Sequence, residues 1–477
     1  MITIEEMAVV DANAAALGVP RKQLMESSGR AVARVVREHA EPDDDVVIVA
    51  GRGNNGGDSF VATRFLDAYD PTVLLLGRAK TISTEISWEN WVALNRGEYD
   101  IREARDSRDL DLGTPDLIVD GILGTGVRGA PREPAHTAIE RINESDGTVV
   151  SVDVPSGMDA NSGTVASVAV DADHTVTFHD MKPGLESPEQ SVTVADIGIP
   201  AMADTLVERG DLLRLGRAPN SHKGDNGTVL VIGGGPYTGA PALTAQAALA
   251  AGADIVRVAC PTAVAETVQS FNEGLITTPL TGDRLDSDHV TSLLEAAAEV
   301  DVAVLGPGLG AHDESLAAAQ SFISSFDGTC VVDADPLGVV PDAADTDASL
   351  VCTPHAGEFR RMGGDPSDSW RDRMDDVRTL ATDLGVTVLL KGRYDVIADG
   401  STGRTRVNRS GTPEMTVGGT GDVLAGIVGA FASVLDPIHA AAIGAYINGR
   451  AGERASNERA SISPLDLIEN VPVVLDA

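Results

Sequence analysis

Lysine is scarce in this chain of 477 residues, which has only Lys22, Lys80, Lys182, Lys223 and Lys391. Basic residues number 36 against 72 acidic ones, a formal net charge of −36. Such a surface repels nucleic-acid phosphates and anionic lipid headgroups, so no nucleic acid and no membrane is an expected partner. Global acidity with little lysine is the habit of proteins that live in concentrated salt. There a Debye length of about 3 Å at 1 M screens self-repulsion. A halophilic origin is therefore expected. Cysteine is limited to Cys260, Cys330 and Cys352, each in or beside an apolar run. An odd count without metal spacing excludes a disulfide framework and points to buried, reduced thiols in a cytoplasmic protein. The opening Met1-Ile-Thr-Ile-Glu-Glu-Met7 lacks the basic and apolar regions of a secretory signal. No apolar segment of 18 residues is free of charge, and the Ala-rich stretch near 238–253 is too small-residued to span a bilayer. There is no Gly-x-x-x-x-Gly-Lys-Ser/Thr and no protein-kinase signature, so the chain is neither a P-loop NTPase nor a protein kinase.

What is present is enough apolar surface, 43% of residues, for two or three domains. Short Val/Ile-rich runs alternate with helical patterns, which predicts parallel α/β architecture. In the first half the runs are Val46–Ala50, Thr72–Leu76, Asp116–Val119, Thr148–Val152, His174–Phe178 and Ser191–Ile197. The pattern restarts at Gly227 with Thr228–Ile232, Asp254–Ala259, Asp301–Leu305, Thr329–Val332, Ser349–Cys352 and Val386–Leu390. Between the halves, Leu206–Asn220 is polar, Arg-rich and without a strand pattern. The boundary is expected near residue 212, giving domains 1–212 and 213–477.

The first strand runs into Gly51-Arg-Gly-Asn-Asn-Gly-Gly-Asp58. Gly51, Gly53 and Gly56 loosely match a dinucleotide fingerprint, which also wants an acid at the end of the second strand. That strand ends Leu76-Gly77-Arg78, and Asp67 and Asp70 precede it. A standard dehydrogenase cofactor site is disfavoured. The tighter string, Asn54 to Asp58, carries two amides and a carboxylate where a capped turn needs one such residue. Two further strands lead into polar glycine loops, Gly124 to Ala130 after Asp120, and Pro155-Ser156-Gly157 after Asp153. In an open parallel sheet the three loops meet at the carboxyl edge, where ligands bind.

Together these motifs resemble the NAD(P)H-hydrate epimerase domain family over most of residues 1–212. The resemblance implies a Rossmann-like, three-layer α/β domain. It assigns substrate contacts to Asn54, Asn55, Gly56, Gly57 and Asp58, to Gly124, Thr125, Gly126, Val127, Arg128, Gly129 and Ala130, and to Asp153, which is also the expected catalytic group. Asn55, Asp120 and Ser156 would ligate K+. The family's early Leu-Met-Glu-Asn-Ala-Gly stands here as Leu24-Met-Glu-Ser-Ser-Gly29. Some relatives of this domain are binding or scaffold modules, and that alternative stays open.

In the second half, Gly418-Gly-Thr-Gly-Asp422 opens a helical pattern. Amides of a glycine turn at a helix start form an anion hole. Phosphoryl transfer needs donors around the moving phosphate and an acceptor for the hydroxyl proton, the role expected of Asp422. Its place at a helix N-terminus predicts a lowered pKa. With Ser221-His-Lys-Gly-Asp225, Gly233-Gly-Gly235, Gly306-Pro-Gly-Leu-Gly310, Thr353-Pro-His-Ala-Gly-Glu358 and Leu389-Leu-Lys-Gly392, this half resembles the NAD(P)H-hydrate dehydratase family. The implied fold is a ribokinase-like α/β domain. By that resemblance Ala240, Gly308, His355 and Asp422 contact the hydrated nucleotide, while Lys391, Gly392, Arg393, Tyr394, Asp395 and Gly421 contact ADP or ATP with Mg2+. Arg393-Tyr-Asp395 departs from the small residues of many relatives.

The implied activity is repair of hydrated NADH and NADPH. An epimerase would interconvert the R and S hydrates, and a dehydratase would use ADP or ATP to restore the S form. Hydroxide is a poor leaving group and phosphate a good one, so the hydrate hydroxyl would be phosphorylated and phosphate then eliminated. The partners expected are these small molecules and further copies of the chain in a homo-oligomer. A small-molecule kinase shares Gly-Thr-Gly-Asp but leaves Asn-Asn-Gly-Gly-Asp unexplained.

Overall fold

The computed structural model describes residues 1–126, 129–187, 191–343 and 345–476. The chain divides into two compact units, Met1–Ala203 and Asp204–Ala477.

The front unit is built on β1 Val46–Ala50, β2 Thr72–Leu76, β3 Ile101–Ala104, β4 Leu117–Gly121, β5 Thr148–Val152, β6 His174–Phe178 and β7 Ser191–Ala195. They form one sheet in the order β3-β2-β1-β4-β5-β6-β7, with every pairing parallel. All five residues of β1 are buried. A strand covered on both faces reads as a continuous apolar run. Because side chains alternate along a strand, Val46, Ile48 and Ala50 feed one core and Val47 and Val49 the other. The first core packs against the helix Arg21–His39 through Leu24, Val32, Val35 and Val36, and the second against Ala135–Asn143 through Ala138, Ile139 and Ile142. The strand order reverses at β1 and β4, opening a crevice at their carboxyl ends.

The rear unit carries β8 Thr228–Ile232, β9 Ile255–Pro261, β10 Ile276–Leu280, β11 Val302–Leu305, β12 Thr329–Val332, β13 Ser349–Cys352, β14 Thr387–Leu390, β15 Asp395–Asp399 and β16 Thr405–Asn408. Their order is β10-β9-β8-β11-β12-β13-β14-β15-β16. The pairings are parallel except for β14 with β15 and β15 with β16, which are antiparallel. Here the order reverses at β8 and β11. The helices Gly239–Ala250 and Thr420–Ala432 cross closely. A Cβ on Gly426 would lie 2.0 Å from the Thr244 carbonyl oxygen, so only glycine permits the approach.

Four strands escape the sequence reading. β3 is Ile-Arg-Glu-Ala at one sheet edge, and β10 carries Pro279 at the other unit's edge. Edge strands tolerate charge and proline because one side makes no ladder bonds. β15 and β16 are a short hairpin whose polar ends break the apolar pattern. The two units divide at Ala203 and Asp204, and 204–212 clusters with the rear unit. The Val207 amide donates to the Val407 carbonyl, and the buried Arg406 guanidinium holds Asp211 at 2.8 Å. Among the described residues no helix is long and apolar enough to cross a membrane.

Candidate active sites

In the front unit Asn54 begins the helix Asn54–Phe65 directly beyond β1. The glycines around it allow three loops to touch. A Cβ on Gly56 would lie 2.1 Å from the Gly51 carbonyl oxygen, and the Gly51 amide donates to the Gly121 carbonyl at the end of β4. Asn55 is buried and its Nδ2 donates to the Leu123 carbonyl at 3.0 Å. Asp120 is fully buried. Its carboxylate accepts from Ser151 Oγ at 2.8 Å, from Ser156 Oγ at 2.6 Å, and from the Ser156 and Ile122 amides. Ser156 Oγ in turn accepts from the Leu123 amide at 2.9 Å. Asn55, Asp120, Leu123 and Ser156 are therefore one hydrogen-bonded knot. Gly124 flanks it, since a Cβ there would meet Asn55 at 3.3 Å. Thr125 is half-buried, Gly126, Gly129 and Ala130 are exposed, and Val127 and Arg128 lie outside the described residues.

Asp153 follows β5 with φ +64, a left-handed conformation that costs a non-glycine residue about 1–3 kcal/mol. Its Oδ1 accepts from Thr177 Oγ1 at 3.2 Å and lies 3.5 Å from Lys182 Nζ. Burial first, then Asp153 and Asp11, push the Asp58 carboxyl well above the usual range. Burial and the nearby Asp153 raise Asp11 to about 6, against Arg21, Lys182 and His179. The sequence reading missed Asp11 and Lys182. Lys182 had one visible signal, its rarity among five lysines just beyond β6.

In the rear unit the loops after β8 and β11 also interlock. A Cβ on Gly233 would meet the Pro307 carbonyl oxygen at 2.3 Å, and the Gly234 amide donates to that carbonyl. Gly308 has φ +76, and a Cβ there would lie 2.8 Å from the Tyr237 carbonyl oxygen and 3.3 Å from Ala240 Cβ. Gly308 and Ala240 thus share one wall. His355 caps the helix Ala356–Arg361, its Nδ1 accepting from the Gly357 and Glu358 amides. Its Nε2 lies 3.4 Å from Glu358 Oε1, and the ring is largely exposed.

Lys391 leaves β14 and reaches 2.8 Å from Asp333 Oδ1 and 3.8 Å from Glu358 Oε2. Thr353 Oγ1 donates to the same Asp333 oxygen at 2.7 Å. A Cβ on Gly421 would lie 3.4 Å from Lys391 Nζ, so the ammonium sits at the start of the helix Thr420–Ala432. Burial lowers the Lys391 pKa, and Asp333, Glu358 and Asp422 more than offset it, leaving it raised. Burial, then Asp333, raise Asp422 to about 7 against the pull of Lys391. This reverses the lowered pKa expected from the helix terminus, because desolvation and a like charge outweigh the dipole. Asp395 turns inward: the Gly392 amide donates to its Oδ1 and Asn408 Nδ2 to its Oδ2, each at 2.9 Å. Tyr394 stacks on Trp370 at 5.5 Å, and Arg393 is exposed. The sequence reading left out Asp333, an acid after an apolar run with no family motif around it.

Comparison with known proteins bears on both units. Residues 229–473 match the family model described as NAD(P)H-hydrate dehydratase. Residues 21–184 match the YjeF-related protein N-terminus. The bifunctional NAD(P)H-hydrate repair enzyme Nnr of Pyrobaculum aerophilum is 43% identical, covering 99% of this chain and 98% of the relative. That of Archaeoglobus fulgidus is 41% identical over 99% and 97% of the two chains, and that of Salinibacter ruber 35% over 96% and 92%. A ribokinase-like superfamily protein from Enterococcus faecalis superposes with TM-score 0.50 at 21% identity, covering 57% of this chain and 95% of that one, a likeness of fold. With relatives so similar over nearly its whole length, the chain belongs to the family of bifunctional NAD(P)H-hydrate repair enzymes.

Proposed function

We propose that the protein repairs hydrated NADH and NADPH, the front unit interconverting the R and S hydrates and the rear unit dehydrating the S hydrate with ADP or ATP. The observation that carries this reading is the convergence of Asp422, Lys391 and Asp333 at the glycine-bounded N-terminus of the helix Thr420–Ala432. A carboxylate titrating near 7 is a competent base for a hydroxyl. Asp422 takes the proton as the hydrate hydroxyl attacks the terminal phosphoryl group of the nucleotide. Lys391 and the first amides of the helix hold the negative charge that moves during transfer. The bond between that phosphorus and the nucleotide breaks, releasing AMP from ADP or ADP from ATP, and departure of phosphate together with the proton on the adjacent ring carbon then restores the double bond of the dihydronicotinamide. Mg2+ neutralises the nucleotide when bound. Asp333 and Glu358 are already engaged by Lys391, which favours a metal that arrives with the phosphates.

In the front unit the oxygens of Asn55, Asp120, Leu123 and Ser156 are a hard-donor set suited to K+, which would tie the three loops together and favour the ionised form of the buried Asp120. Asp153 and the loop residues of 54–58 and 124–130 would hold the hydrate. The net charge of −36 with five lysines supports a K+-rich saline cytoplasm as the working medium, and a homo-oligomer as the assembly is tested by light scattering there.

The test is absorbance at 340 nm after mixing protein with both hydrate epimers, Mg2+ and ADP or ATP in concentrated KCl. Recovery of both epimers, abolished by Asp422→Ala, is the expected result. Recovery of one epimer alone makes the front unit a binding module, and a stable phosphorylated product without recovery makes the rear unit a kinase.

A further inference from the structure

Lys182 is a buried lysine in a protein that has five, with 1% of its side chain exposed. A buried ammonium needs acceptors for all three of its protons. Here they go to Thr177 Oγ1 at 3.2 Å, the Phe178 carbonyl at 2.8 Å and the Asp180 carbonyl at 3.1 Å. The ammonium is therefore clamped where β6 ends. Thr177 passes the bond on, since its own hydroxyl proton goes to Asp153 Oδ1 at 3.2 Å. Lys182 also faces that oxygen directly at 3.5 Å. One carboxylate oxygen of Asp153 is thus approached by an ammonium and a hydroxyl, and Oδ2 has no protein partner among the described residues. The backbone beneath it is held left-handed at φ +64.

From this geometry, and resting on the epimerase reading above, we propose that Lys182 is a positioning residue for the front-unit reaction: through Thr177 it fixes the Asp153 carboxylate so that Oδ2 is presented to the hydrated nucleotide. Its charge has a second effect. Asp11 and Asp58 are both shifted towards their protonated forms, and Asp153 contributes to each shift. Lys182 is among the charges that oppose the Asp11 shift. A hydrophobic side chain of the same length would fill the space and leave Asp153 without its anchor.

The test uses the full chain in concentrated KCl, with the R hydrate as substrate for the coupled recovery and the S hydrate as the control for the rear unit. Lys182→Ala is expected to lower kcat for the R hydrate by about 100-fold with KM changed less than about threefold, while S-hydrate recovery is unaltered. n-Propylammonium chloride, which replaces the removed Cγ to Nζ, restores at least about tenfold of the lost rate, and n-propanol, which is close to it in size without charge, does not. Thr177→Val, which keeps shape and removes the relay, reproduces the kcat loss in part and serves as the readout if Lys182→Ala does not fold. Full activity in either variant, or equal rescue by propanol, overturns the assignment. A wild-type protein that recovers the S hydrate and leaves the R hydrate untouched instead overturns the epimerase reading, and the assignment with it.

Discussion

At the scale of single residues, the site chemistry depends on where each carboxylate is placed. Asp422 stands at a helix N-terminus, yet burial and Asp333 raise it to about 7. Dehydration should therefore have an acid limb near pH 7 in kcat/KM, rising as Asp422 ionises. Asp422→Asn should lower kcat by about 100-fold or more and remove that limb, which a pH–rate profile on the S hydrate reads. The same shift bears on stability. The folded protein holds this proton up to about 7, and the unfolded chain releases it near the ordinary aspartate value. The stability it contributes is full below the unfolded pKa and is lost as pH rises through the folded one. Asp422→Asn should thus melt higher than the wild type at pH 8, and the gap should close towards pH 4; a gap that stays constant with pH contradicts the burial argument.

At the scale of elements, both units use the same construction: glycine loops after the strands at the reversal of order, with a lysine braced against an acid that follows another strand of the same sheet. Asp153 with Lys182 and Asp333 with Lys391 are the two instances. The loops can come together only because backbone meets backbone. Gly56→Ala would push a methyl group to within 2.1 Å of the Gly51 carbonyl oxygen. It should destabilise the front unit by about 1–3 kcal/mol and reduce R-hydrate recovery while leaving S-hydrate recovery intact, which calorimetry and the 340 nm assay check together. The segment 204–212 is held to the rear unit by the buried Arg406–Asp211 pair. Asp211→Ala leaves an uncompensated guanidinium and should cost about 3–5 kcal/mol, measured as a lower denaturation midpoint of the rear unit.

At the scale of the whole molecule, a net charge of −36 makes the compact state repel itself unless salt screens it. Raising KCl from about 0.1 M, where the Debye length is about 10 Å, to about 1 M, where it is about 3 Å, should raise the melting temperature steadily. NaCl should screen equally. If K+ also binds the Asn55–Asp120–Ser156 knot, KCl should exceed NaCl in R-hydrate recovery at matched ionic strength and not in S-hydrate recovery. Equal recovery in the two salts removes K+ from the front unit.

The two-unit α/β plan, the buried parallel strands and the glycine loops that end them are legible in the order of residues, because period, apolar runs and turn residues are local properties. β1 and its Asn-Asn-Gly-Gly-Asp loop are legible in that way, as are Gly-Thr-Gly-Asp and its helix. Edge strands such as β3 and β10 are not, since their burial is one-sided and their composition polar. Which side chains meet is set by packing in three dimensions. Lys182 reaches Asp153, and Lys391 reaches Asp333, across separations that no local pattern records. The tertiary structure also decided the direction of the Asp422 shift, because desolvation and the charge of a neighbour are set by packing around a carboxyl and not by its position along a helix.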